Sequence, residues 1–186
     1  MSGGHGHVDH SNKKIALLVA ILAACLALSE TGGKSAQTQA LGDNIEASNL
    51  WSFFQAKTIR QTTMRTAADH VEAEFKDNPA GIPATLKAQA ERWRQTAARY
   101  ESEPDTKEGR RELMARAKAK EASRDKALSA YHQFEYGSAA FQLAIVLAGA
   151  SALTAVVWLT YVSIGLGVVG AAFTALGFFA PNLLHL

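Results

Sequence analysis

The chain of 186 residues is 48% apolar and 19% charged, with a formal charge of +2 at neutral pH, a balance that offers no electrostatic ground for nucleic acid as a partner. Its single cysteine, Cys25, excludes an intramolecular disulfide and a thiolate-rich metal cage. Apolarity is unevenly spread: the last 51 residues, Tyr136 to Leu186, contain no Asp, Glu, Lys or Arg.

Residues 1–14 form a polar tail in which His5, His7, Asp9 and His10 are of the types that ligate borderline metals. The tail is glycine-rich and nothing in it fixes those side chains, so it reads as flexible and no metal is assigned.

Ile15 to Leu28 is apolar throughout, but 14 residues give only about 21 Å of helix, short for a hydrocarbon layer of roughly 30 Å. Extending the helix to Gly33 yields a first span over residues 15–33. Glu30 then stands near the headgroups with Lys34 one turn on, in the acid-first order that favours an i,i+4 pair. Unpaired and buried, that carboxyl would turn neutral, so Glu30 and Lys34 are candidate structural residues.

Two signals here mislead. Leu22-Ala23-Ala24-Cys25 resembles a lipoprotein cleavage box, but Leu26, Ala27 and Leu28 carry the apolar run past the cysteine, and an uncleaved span is expected. Thr31-Gly32-Gly33-Lys34-Ser35 ends like a phosphate-binding loop, yet position 28 is Leu where the earlier glycine is required, and no strand precedes it.

From residue 34 to 135 the chain is polar and rich in helix formers. Breakers cluster at Asp77 to Pro83 and at Ser102 to Asp105, which predicts helices over about Gln39 to Lys76, Ala84 to Glu101 and Thr106 to Tyr136. Asp105 and Glu108 suggest a capping box for the third, which has no breaker before the apolar C-terminal stretch. The apolar seams, such as Leu86, Ala90, Trp93 and Ala97, are narrow and alanine-rich, as in a helical hairpin or coiled coil.

One segment departs from that pattern. Trp51, Phe53 and Phe54 occupy more than one helix face and are followed by Lys57, Arg60 and Arg65. The group suits an interfacial helix on lipid, a subunit interface, or packing within the chain, and Trp51, Phe53, Phe54, Lys57 and Arg60 are candidate contact residues.

A single helix over the last 51 residues would run about 75 Å, so this stretch is expected to cross a bilayer twice. Trp158 and Tyr161 bracket Leu159 and Thr160, which places the turn there and the spans at Phe141 to Trp158 and Ile164 to Ala180. Small residues recur every fourth position, Ala140, Ala144, Ala148 and Ala152 on one span and Ser163, Gly167, Ala171 and Ala175 on the other. Such stripes let backbones approach closely and make Gly167 and Ala171 candidate contacts.

The stretches Leu26 to Thr38, Asn44 to Trp51 and Phe54 to Thr62 resemble a bacterial family of uncharacterised membrane proteins, domain of unknown function 4337. The resemblance covers most of the chain. It implies a small bacterial inner-membrane protein and brings no activity, cofactor or catalytic residue.

The expected fold is therefore an all-α membrane protein with three transmembrane helices and an extramembrane helical hairpin, coiled-coil-like domain between the first and second. The domains are residues 1–14, 15–33, 34–135 and 136–186. The leading function is a non-catalytic, membrane-anchored structural or interaction protein, a scaffold that self-associates as a homo-oligomer, with membrane lipid as its other partner and no cofactor. An oligomeric pore is the alternative. A metal-dependent membrane enzyme using His70 and Glu74, or His132 and Glu135, is third, since two ligands from one helix fall short of a site. Lys34, Lys120, Arg124 and Lys126 outnumber Lys13 and Lys14 near the span ends, which points to a cytoplasmic helical domain and C-terminus.

Overall fold

A computed structural model describes residues 10–183, with side chains from Lys13 onward. The metal-ligand types in the tail, His5, His7 and Asp9, and the side chain of His10, lie outside the described residues. Among the described residues the secondary structure is entirely helical: α1 His10–Glu74, a single 3-10 turn at Pro79–Gly81, α2 Ala84–Glu101, α3 Arg110–Thr154 and α4 Trp158–Phe179. Stretches of α1, α3 and α4 are long and apolar enough to cross a membrane. Two compact units result, Gly42–Ser123 and the described residues on either side of it.

α1 runs for 65 residues without a break at Gly32 or Gly33. Glycines weaken a helix by about 1 kcal/mol each relative to Ala. Here they are held in place by packing, because a Cβ on Gly32 would stand 2.7 Å from the Phe134 ring and one on Gly33 3.4 Å from Phe134 Cβ. The hydroxyls of Thr31 and Thr38 bond back to the carbonyls of Ala27 (2.7 Å) and Lys34 (2.9 Å), which satisfies them within the helix.

In the unit that holds the apolar stretches, Leu22, Phe141 and Ala144 form a buried cluster joined by Leu18, Cys25, Leu26, Ile145 and Leu166. The outer face is also apolar, with Leu17, Ile21, Leu143, Val146, Val168 and Val169 exposed. Its inner face is lined by small and hydroxyl residues: Ser163, Gly167, Gly170 and Gly177 of α4 are buried, as are Ala140, Ala144, Ala148 and Ser151 of α3. The buried α4 residues are spaced alternately four, three and seven apart, and Ala171 and Ala175 are exposed. A strict step of four advances about 40° round a helix of 3.6 residues per turn, so the expected stripe leaves the contact face after its second member.

The turn between α3 and α4 differs from the expected position. It occupies residues 155–157, and Trp158 to Tyr161 already lie in α4. Ala155 takes a left-handed conformation (φ 57°) with its N–H bonded to the Ser151 carbonyl at 3.0 Å, the geometry of a helix C-terminus that glycine usually fills. The Ser151 hydroxyl donates to the Val156 carbonyl (3.1 Å) and lies 2.7 Å from the Thr160 hydroxyl, tying both sides of the turn.

In the other unit, α2 closes on α1 through Ala68, Val71 and Ala90, with Ile82, Leu86 and Trp93 around them. Leu50, Leu113 and Ala117 form a second cluster against Trp51 and Phe54. α3 starts at Arg110 rather than Thr106, and the Asp105 and Glu108 capping box does not form. The Thr106 hydroxyl accepts from the Glu108 N–H (3.3 Å), and Lys107 adopts a left-handed φ of 58°. Glu112, in the first turn of α3, reaches back across the loop instead, its carboxylate accepting from the Ser102 hydroxyl (2.6 Å) and the Glu103 N–H (3.2 Å). Gly109 admits this closure: a Cβ there would collide with the Glu112 carboxylate and the Glu103 N, and would lie 2.7 Å from Ser102 Cα.

Candidate functional site

Among the described residues no three His, Cys, Asp or Glu side chains converge on a point that would hold a metal ion. Two polar assemblies stand out, one in each unit.

In the unit Gly42–Ser123, the end of α2 meets α1 and the start of α3. Glu101 is the last residue of α2, where a carboxylate faces the negative end of the helix dipole. Its neighbours offset that: Arg110 Nη1 at 2.8 Å, Arg111 Nε at 3.5 Å and Arg65 Nη2 at 3.9 Å. The buried Gln61 of α1 donates to Glu101 (2.8 Å) and to the Ala97 carbonyl (3.0 Å), and accepts from Arg110 (2.5 Å). Arg110 also donates to Thr58 Oγ1 at 2.9 Å and stacks over Phe54 at 5.0 Å. The Gln61 amide, reinforced by Arg110 and Arg111, holds the Glu101 carboxyl below the usual glutamate range.

Lys57, one helix turn before Gln61, is buried. Its Nζ lies 3.5 Å from Glu103 and 4.0 Å from Glu108, and over the rings of Phe53 (5.4 Å) and Tyr100 (5.1 Å). Charge pairing and ring contacts together make it a tether from α1 to the 102–109 loop. Farther along, Lys120 of α3 bridges Asp43 (3.0 Å) and Glu46 (2.8 Å) of α1, and those bonds raise its pKa. Trp51 donates from Nε1 to Glu121 at 2.9 Å and meets Phe54 edge to face at 5.4 Å.

Of the aromatic segment, then, Trp51, Phe54 and Lys57 are engaged within the chain, while Phe53 is partly exposed and Arg60 points outward. Sequence reasoning missed Gln61, Glu101 and Arg110. Their signal is weak, because they meet only after α2 folds back and each alone looks like a solvated helix face.

In the unit of the apolar helices, Ser29 of α1 is fully buried and donates to the Phe134 carbonyl of α3 at 2.9 Å. The Thr174 hydroxyl of α4 lies 3.0 Å from Ser29 Oγ and 2.8 Å from the Gly170 carbonyl. Ser163 donates to the Ala144 carbonyl at 2.7 Å. Gly167 is placed against α1, where a Cβ would stand 2.7 Å from Leu22 Cδ2. Ala171 faces instead an apolar groove of about 250 Å3 bordered by Cys25, Leu28, Phe141 and Phe178.

Glu30 and Lys34 are both exposed and border a second groove of about 330 Å3 between α1 and α3, together with Tyr131 and Glu135. The i,i+4 pair expected of Glu30 and Lys34 does not form. Among the described residues neither belongs to an ion pair, and Glu135 approaches only His132, at 3.7 Å.

The family described as Domain of unknown function (DUF4337) matches residues 11–180, and the chain belongs to that family. No curated protein and no solved structure matches it.

Proposed function

We propose that the chain is a non-catalytic structural protein of a bacterial inner membrane, anchored by three spans, whose helical unit Gly42–Ser123 lies between the first and second crossings and serves as an interaction module. One observation carries this reading. Around α1, α3 and α4 the aliphatic side chains of Leu17, Ile21, Leu143, Val146 and Val168 are outward, while Gly167, Gly170 and Gly177 are buried and the hydroxyls of Ser29, Ser163 and Thr174 are hydrogen-bonded between helices. That is the polarity of a bundle solvated by lipid, where small residues let helices approach and inward hydroxyls add hydrogen bonds between them. Self-association, on this reading, uses surfaces that remain uncovered, namely Phe53, Arg60 and Ala171.

Carbonate extraction of native membranes tests the anchor, and the protein is expected in the pellet. Native mass spectrometry in mild detergent tests self-association. A folded, strictly monomeric species would sink that part of the proposal and leave the anchor standing.

The pore reading has less support, because the hydroxyls of Ser29, Ser163 and Thr174 that would line it are spent on contacts inside one chain. Ion flux into liposomes carrying the purified protein would reverse that preference.

A further inference from the structure

The apolar stretches of all three helices end at one level. Glu30 follows Leu28, the last residue of the apolar run of α1, and Glu135 immediately precedes Tyr136, where the charge-free part of α3 begins. Phe134 joins the helices there, its ring against Gly32 and Gly177 and 4.7 Å from the Phe178 ring near the end of α4. If the three helices cross a bilayer, as proposed above, this is the level of the headgroups.

At that level lies the groove of about 330 Å3 bordered by Ser29, Glu30, Lys34, Tyr131, Glu135 and Ser138. Its charges are mixed and under-used. Glu30 and Lys34 share one face of α1 without an ion pair among the described residues, and the one carboxylate contact of Glu135 is with exposed His132. Two acceptor-only carboxylates, one ammonium and a phenol are thus held round a space open to whatever surrounds the helices.

We propose that this groove binds the headgroup of a phospholipid bearing a primary ammonium. The lipid ammonium donates to the carboxylates of Glu30 and Glu135, and its phosphate accepts from Lys34 Nζ and the Tyr131 hydroxyl. The inference rests on the membrane reading. A primary ammonium has three N–H donors to match two carboxylates, whereas a quaternary ammonium has none and a glycerol headgroup brings no cation to offset the two carboxylates.

The test uses the full chain in mild detergent, with native mass spectrometry of lipids retained from equal mixtures of phosphatidylethanolamine, phosphatidylcholine and phosphatidylglycerol of one acyl composition. Phosphatidylethanolamine is expected to be retained about fivefold over either competitor, the scale of one or two exposed charge-assisted contacts. The double variant Glu30→Gln with Glu135→Gln should abolish that preference, Lys34→Ala should weaken retention, and Glu72→Gln, far along α1, should change neither. Equal retention of the three lipids, or a preference that survives the double variant, overturns the inference. So does displacement by soluble phosphoethanolamine at millimolar concentration, which would make the ligand a free solute. Carbonate extraction separates the two readings. Protein washed from the membrane defeats the anchor itself, whereas protein that stays in the pellet without lipid preference defeats only the headgroup site.

Discussion

The ring of Phe134 stands where a side chain on Gly32 would have to be, its Cε1 only 2.7 Å from the position of an added Cβ. Gly177 of α4 confines the same ring from another side, where a Cβ would lie 2.9 Å from the same atom. Phe134 is buried, so it has no room to yield. Gly32→Ala and Gly177→Ala are therefore expected to cost about 1–3 kcal/mol by overpacking, whereas Gly165→Ala, with nothing within 4 Å, should be neutral or slightly stabilising. Thermal melts in detergent measure this, and Phe134→Leu should partly rescue Gly32→Ala. Equal melting of the Gly32 and Gly165 variants would show that the ring does not need the glycine.

Gln61 and Arg110 meet at 2.5 Å and share Glu101 as a partner. Removing one leaves the other with an unanswered polar group in a part-buried place, so Gln61→Ala and Arg110→Ala should each destabilise by about 1–3 kcal/mol. The double variant should cost less than the sum, with a coupling of roughly 1 kcal/mol or more. Chemical denaturation followed by circular dichroism gives the cycle, and strict additivity would mean that the two side chains act independently.

Glu101 and Glu112 both ionise below the ordinary glutamate range, the first chiefly through the Gln61 amide and the second chiefly through the Ser102 hydroxyl. The sign follows from linkage. A carboxyl whose folded pKa is lowered contributes stability that is complete above its unfolded value, about 4.3, and is lost as pH falls through the lower folded value. Melting temperature should thus be level above about pH 5 and decline through the acid range. Glu101→Gln should lower stability at neutral pH and flatten the acid limb. An unchanged acid slope would assign the decline to other carboxylates.

Lys107 occupies the left-handed region at φ 58°, in the loop that joins α2 to α3. A residue with a Cβ is disfavoured there by about 1 kcal/mol, and glycine is not. Lys107→Gly should therefore raise stability, by up to about 1 kcal/mol, even though it removes a charge and adds freedom to the unfolded chain. A fall in the melting temperature would mean that the unfolded-state entropy dominates.

Where the fold was legible, local rules decided it. α2 spans Ala84–Glu101 as the prolines at 83 and 104 dictate, and the Leu86, Ala90, Trp93 face packs where its periodicity points. Elsewhere, long-range contacts overrode local signals. Gly32 and Gly33 carry no local signal of a contact, and Phe134, about a hundred residues away, is what makes them one. The Trp158 and Tyr161 pair drew the turn three residues too far along, because the device that closes it, Ala155 in a left-handed conformation with Ser151 bonded across, has no glycine to announce it. From the sequence, Lys57 is a candidate contact whose partner stays open between lipid, another subunit and the chain itself, and its burial depends on Tyr100 and Glu103, which only the return of α2 supplies.

On the proposed three-span anchor, the side on which the helical unit resides is predicted from charge and from the number of crossings. With three spans, the stretch between the first and second shares a side with the C-terminus, opposite residues 1–14. Lys13 and Lys14 pull the N-terminus inward, while Lys34, Lys120, Arg124 and Lys126 near the span ends pull the other way. The turn at residues 155–157 carries no Lys or Arg and takes no part. Exporting residues 34–135 would carry every Lys and Arg except Lys13 and Lys14 across the bilayer behind a proposed span whose apolar run, Ile15 to Leu28, is short. A cytoplasmic unit is the expected arrangement. A reporter fused after Leu186 should fluoresce if it matures only in the cytoplasm, and alkaline phosphatase at the same position should be inactive. Active phosphatase there would put both the C-terminus and the unit in the periplasm, and would mean that the two lysines before the first span outweigh the four cations beyond it.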